Sequence, residues 1–191
     1  MLPGAGRFEA LPGDVDPAAR SEAADRCATL LVRGAHDTDD EDVVARVVHL
    51  ADTEGLDTLA DLWSSSPADS LAGCLWRLYL LRSWVYADPA AAAREFDTGR
   101  WHTPVHEVVA GVVEPPGPDE VRRLTDEVLR GVVQGDFADT LYRAAAFARV
   151  VSAGRARSDG PYDSALSASR LLTMAEQLER AGGLELSGQL A

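Results

Sequence analysis

The chain has 191 residues, 46% of them hydrophobic, which suits one domain or a compact pair of helical halves sharing a core. Thirty-one acidic residues against 18 basic ones leave a formal charge of −13, a field that repels phosphate backbones and anionic lipid. Nucleic acid and membrane surface are therefore excluded as expected partners, and a basic protein surface is favoured.

Residues 1–15 are rich in Gly, Pro and Ala without period and are expected to form a flexible arm. Asp16-Pro17 reads as an N-cap and first-turn proline. The helix that follows is expected to run to about Arg33, with Gly34 as its stop and Ala23, Cys27, Leu30 and Leu31 on its apolar face. The acidic run Asp37 to Asp42 lacks the glycine and distal glutamate of a calcium loop. Its carboxylates suit the first turn of a second helix instead, which continues through Val43, Val44, Val47, Val48 and Leu50 to near Gly55. A shorter helix is expected from Leu56 to about Trp63.

Ser66-Pro67, with Asp69 at the capping-box position, predicts the start of a helix over 67–87. Leu71, Cys74, Leu75, Leu78, Leu81 and Val85 form one seam on it, and Trp76, Tyr79, Leu80 and Trp84 cover much of the remainder. A helix apolar on nearly all sides belongs at the centre of a bundle. Asp88-Pro89 caps an Ala-rich helix through about Phe96, closed by Gly99, and Thr103-Pro104 opens a short one carrying Val105, Val108, Val109 and Val112. Glu114-Pro115-Pro116-Gly117-Pro118 cannot be helical and marks the linker between a first half, 16–114, and a second, 115–191, packed on it. The second half predicts helices over Asp119–Val133, Phe137–Val151 and Ser164–Ala181, the last ending at Gly182-Gly183. No useful stretch alternates with period two. The expectation is an all-α, compact bundle of eight to nine helices around the central apolar helix 67–87.

The densest apolar stretch, Leu71 to Val85, is too short to cross a bilayer and carries Arg77 and Arg82. Met1 to Glu9 has no apolar signal core, so a cytoplasmic location is expected. All 18 basic residues are Arg, and Lys, Ile and Asn are absent. No folding rule demands this; the codon bias of a GC-rich genome does, which points to a bacterial source and makes arginine abundance by itself a weak sign of function. Cys27 and Cys74 both fall on apolar helical stretches and are expected as buried free thiols.

Few residues offer chemistry. His102 and His106 are four apart with Glu107 adjacent, a spacing that metal sites use on a continuous helix. Pro104 disfavours helical geometry at Thr103, so His102 is expected before the helix starts and a surface or capping role is favoured over a ligand role. Arg77 and Arg82 lie in the most apolar helix and must each reach the surface or meet a carboxylate. They are expected either to fix helix register through ion pairs or to line a groove for an acidic group, with Trp76, Tyr79 and Trp84 as its neighbours. A Gly-x-Ser-x-Gly elbow, a Walker A loop, a dinucleotide fingerprint and paired metal-binding cysteines are all missing from the sequence, and no cofactor is expected.

The stretch Ala68 to Arg82, together with Val109-Ala110-Gly111 and the Glu114 to Val121 segment, is similar to an all-helical protein family of high-GC actinobacteria. The likeness covers most of residues 40–155. It implies an all-helical fold and brings no catalytic residues with it. Some similar chains carry an RNA-polymerase β-subunit label, an activity for which this chain is too small and lacks a basic channel. Absent catalytic motifs, an acidic surface and four Trp lead to the expectation of a non-enzymatic protein acting through protein–protein interaction, with itself as one candidate partner in a homodimer. The alternative is a domain that binds an acidic small molecule through Arg77 or Arg82; a metal-dependent hydrolase using His102, His106 and Glu107 ranks last.

Overall fold

A computed structural model describes residues 17–37, 56–103, 117–134, 136–157 and 163–191. The described residues hold seven helices and no strand: α1 (Pro17–Asp37), α2 (Leu56–Trp63), α3 (Leu71–Ala87), α4 (Pro89–Arg100), α5 (Pro118–Gln134), α6 (Phe137–Arg155) and α7 (Asp163–Leu186). The expected arm and the two further helices, over about 40–54 and 104–112, lie outside the described residues. All seven helices contribute to one buried apolar cluster, from Ala24 and Val32 on α1 to Ala175 and Leu178 on α7. Among the described residues no helix is long and apolar enough to cross a membrane.

α3, which covers most of the helix expected at the centre, packs against all six other described helices, yet the more thoroughly buried element is α6. Its buried residues recur on several faces, Leu141, Ala144, Ala145, Phe147, Ala148, Val150 and Val151 among them. Its most extensive contacts are with α7 and α4, and α5 also packs on it. Alanine and glycine let neighbouring backbones close in from more than one side. On α3, by contrast, Leu71, Cys74, Leu75, Leu78, Leu81 and Val85 are buried while Trp76, Arg77, Tyr79, Leu80 and Trp84 remain half-exposed. Bulky aromatics and guanidiniums on that side keep other helices from enclosing it.

α3 also starts later than its sequence suggests. Ser70, not Ser66, is the N-cap: it is extended (φ −118°, ψ 158°), and the Gly73 N–H donates to its Oγ at 3.1 Å. The Pro67 carbonyl folds back over the first turn so closely that a Cβ on Gly73 would lie 1.7 Å from its oxygen. A chain turned back in that way cannot continue the helix.

Three other helices run past the glycines expected to stop them. Gly34 lies inside α1, Gly99 inside the last turn of α4, and Gly182-Gly183 inside α7; of these all but Gly183 are buried. α7 ends instead at a left-handed Gly188 (φ +67°), where Gly188 N–H donates to the Glu185 carbonyl at 3.0 Å and Gln189 N–H to that of Leu184 at 2.8 Å. This is the pattern of a Schellman cap, which favours glycine for its left-handed backbone. The chain then returns to α3: Leu190 is buried, and Leu71 N–H donates to the Ala191 carbonyl at 2.7 Å, satisfying one of the orphan donors at a helix start.

Candidate functional site

Where the exposed side of α3 faces α7, a groove of about 240 Å³ opens to solvent. From α3 it is lined by Trp76, Arg77 and Leu80, one turn of the half-exposed face. Across from them Ser169, Arg170, Thr173, Met174 and Gln177 repeat at helical spacing along α7. Trp76 stacks on Tyr79, ring centroids 5.6 Å apart and planes at 18°, which holds the indole at the groove wall.

Arg77 is the half-buried charge in this groove. Its Nε donates to Gln177 Oε1 at 2.7 Å, tying α3 to α7, and its Nη1 donates to the Gly73 carbonyl at 2.7 Å. Both acceptors are neutral. Burial pushes the guanidinium below the ordinary arginine value, with the charge of Cys74, once ionised, and that of Asp69 pulling the other way. Asp69 acts at a distance, since among the described residues no carboxylate lies within ion-pair reach of Arg77.

Other arginines between helices are neutralised. Arg155 forks onto Glu95 with Nε–Oε1 at 2.9 Å and Nη2–Oε2 at 2.8 Å, and both side chains are nearly buried. Arg33 grips both oxygens of Glu185, and Arg149 reaches Glu179. Arg82 donates to Asp126 Oδ1 at 3.3 Å and lies 4.1 Å over the Tyr86 ring, whose hydroxyl donates to Asp126 Oδ2 at 2.6 Å. That hydrogen bond raises the Tyr86 pKa, because it favours the protonated phenol.

The residues singled out from sequence thus separate into three places. Trp76, Arg77 and Tyr79 belong together at the groove. Arg82 belongs to an α3–α5 cluster with Tyr86 and Asp126, joined by Arg122, whose guanidinium sits 5.6 Å from the same ring. Trp84 lies under Arg155, 4.5 Å from its guanidinium carbon, and braces the Glu95 ion pair. The α7 wall was not visible in the sequence; its only signal there is the one-face recurrence of Ser169, Arg170, Thr173 and Gln177 opposite a more apolar stripe.

For metal, His102 is exposed, and His106 and Glu107 lie outside the described residues. Among the described residues no group of three or more His, Cys, Asp or Glu is placed to hold an ion. Both cysteines are free thiols, Cys27 half-buried and Cys74 buried. Burial pushes the Cys74 thiol up to about 12, so it is protonated and a poor nucleophile at neutral pH.

No protein-family model matches the chain, and comparison with curated proteins and with solved structures returns no match.

Proposed function

We propose that the chain binds a small anionic molecule in the groove between α3 and α7, with Arg77 as the anchoring charge and Arg170 at the rim. One observation carries this reading. In a chain with 31 acidic residues, Arg77 is half-buried beside an open groove and, among the described residues, donates only to a backbone carbonyl and a neutral amide. A guanidinium removed from part of its water and left without a carboxylate gains most from an anion brought from outside. Arg82, which already meets Asp126 on its own chain, has no such deficit.

A ligand that binds the folded state alone raises the melting temperature by mass action. Thermal-shift measurements with a panel of carboxylates and phosphates are expected to find stabilising anions. The shift is lost in Arg77→Gln and kept in Arg82→Gln. A panel that leaves the melting temperature unmoved, or a shift equal in both variants, removes the reading.

A second reading, self-association as a homodimer in the cytoplasm, draws on Trp101. This side chain is 71% exposed beyond α4, with the Arg100 guanidinium 4.9 Å from its ring. Exposed tryptophan is common at contact surfaces. Light scattering at micromolar concentration is expected to report a dimer that Trp101→Ser converts to monomer; a wild-type monomer throughout ends this reading.

A further inference from the structure

We infer that the occupant of the α3–α7 groove is a small monocarboxylic acid carried on an apolar body. Its carboxylate is held by Arg77, and its body lies against Trp76, Leu80 and Met174. The inference rests on the anion-binding reading above and narrows it to one ligand chemistry.

The donors left on Arg77 select the head group. A guanidinium has five N–H groups in a fixed fork. Here Nε is engaged by Gln177 and one N–H of Nη1 by the Gly73 carbonyl. What remains is three N–H groups, one on Nη1 and both on Nη2, enough to meet the two oxygens of a carboxylate. Arg170, on the same groove, adds a second cation, and Ser169 and Thr173 add hydroxyl donors.

Phosphate fits the same place poorly. Phosphate sites gather backbone N–H groups at helix N-termini or in nests. The lining residues 76–80 and 169–177 lie instead in the interiors of α3 and α7, where backbone donors are committed to the helix. A dianion would also meet the field of a chain of charge −13, with Asp69 close enough to act on Arg77. A monoanion meets half of that repulsion.

The walls select the body. Trp76, Leu80 and Met174 are apolar and line the same groove as the arginines. A purely polar acid leaves them facing water, while a phenyl or short branched group covers them. At about 240 Å³ the groove lies below the usual range of drug-sized pockets, roughly 300–1,000 Å³, so the body is small.

Calorimetric titration of the full chain with phenylacetate, phenylacetamide, acetate and inorganic phosphate tests the assignment. Phenylacetate is expected to bind about tenfold or more tightly than acetate or phosphate, and phenylacetamide not to bind. Arg77→Gln is expected to abolish the phenylacetate signal. Because Arg77 also ties two helices together, exposed Arg170→Gln supplies the independent reading, with a loss of about tenfold. Acetate or phosphate binding as tightly as phenylacetate, with dependence on Arg77, overturns the carboxylate-plus-apolar assignment and leaves general anion binding standing. Binding of the amide as strongly as the acid, no binding of any of the four, or phenylacetate binding unchanged in both arginine variants overturns both.

Discussion

Gly99 of α4 and Gly154 of α6 approach so closely that each backbone fills the space of the other's missing side chain. A Cβ on Gly99 would lie 1.8 Å from the Val150 carbonyl oxygen and 2.9 Å from the Gly154 nitrogen; one on Gly154 would lie 1.7 Å from the Glu95 oxygen and 2.9 Å from the Gly99 nitrogen. Backbone cannot swing aside as a side-chain tip does. Gly99→Ala or Gly154→Ala is therefore expected to cost about 2–4 kcal/mol in urea unfolding, despite the better helix propensity of alanine. Gly183→Ala is the matched control. Its nearest neighbour is the Tyr142 hydroxyl at 3.7 Å, so the substitution is expected to be neutral or to stabilise by up to about 1 kcal/mol.

Glu95→Gln is expected to destabilise by about 2–4 kcal/mol. Glu95 and Arg155 are 14% and 11% exposed, joined by two hydrogen bonds, and the guanidinium rests on Trp84. Removing one charge leaves the other buried without its partner. Arg26→Gln, whose ion pair with Glu22 lies at the surface, is expected to cost under about 1 kcal/mol, and equal losses in the two variants would refute the contrast.

Thr125→Val is expected to change stability by less than about 1 kcal/mol in either direction. Thr125 is 3% exposed, and its hydroxyl donates to the Val121 carbonyl on the same helix at 2.9 Å. In a helix that carbonyl already serves the backbone, so a methyl of equal size strands no acceptor. Leu78, Leu81, Val128, Ala144 and Phe147 surround the site and accept an apolar group. A loss above 2 kcal/mol by chemical unfolding would show the hydroxyl to matter more than this.

Cys74 makes the alkaline limb of stability predictable. Its folded thiol is raised from 9.0 to about 12, so the folded state holds the proton more tightly than the unfolded chain. The sign follows: the contribution is complete below pH 9 and is lost as pH rises toward 12. Cys74→Ala is expected to flatten that decline in unfolding measured from pH 8 upward. With about one thiol in ten thousand ionised at pH 8, Cys74 is also expected to resist iodoacetamide until the chain unfolds. Half-buried Cys27, raised by burial as well, is expected to react first.

Helical periodicity and side-chain caps were legible in the sequence. Asp88 caps α4 as its position before Pro89 implied, its Oδ1 accepting from Ala91 N–H at 2.9 Å. The glycines do not mark the ends because a lone sequence ties glycine to helix termination, whereas Gly34, Gly99 and Gly182 sit one to four residues inside the ends of their helices and Gly99 serves an interhelical crossing. The late start of α3 has the same origin: Gly73 gave no sign that the Pro67 carbonyl would lie on it. The near wall of the groove was recognisable as arginine and tryptophan on an apolar helix. Its far wall was not, because the pairing of Arg77 with Gln177 spans 100 residues and depends on how α7 is rotated against α3.

α7 supplies partners to three earlier helices: Glu185 to Arg33 of α1, Gln177 to Arg77 of α3, and both Glu179 and the Ala168 carbonyl to Arg149 and Ser152 of α6. On the ribosome every one of those helices emerges before their common fastener. The nascent polypeptide must keep the apolar side of α6 from wrong contacts until residues 163–186 have been synthesised. Consolidation of α1, α3 and α6 against one another is thus timed by the arrival of α7.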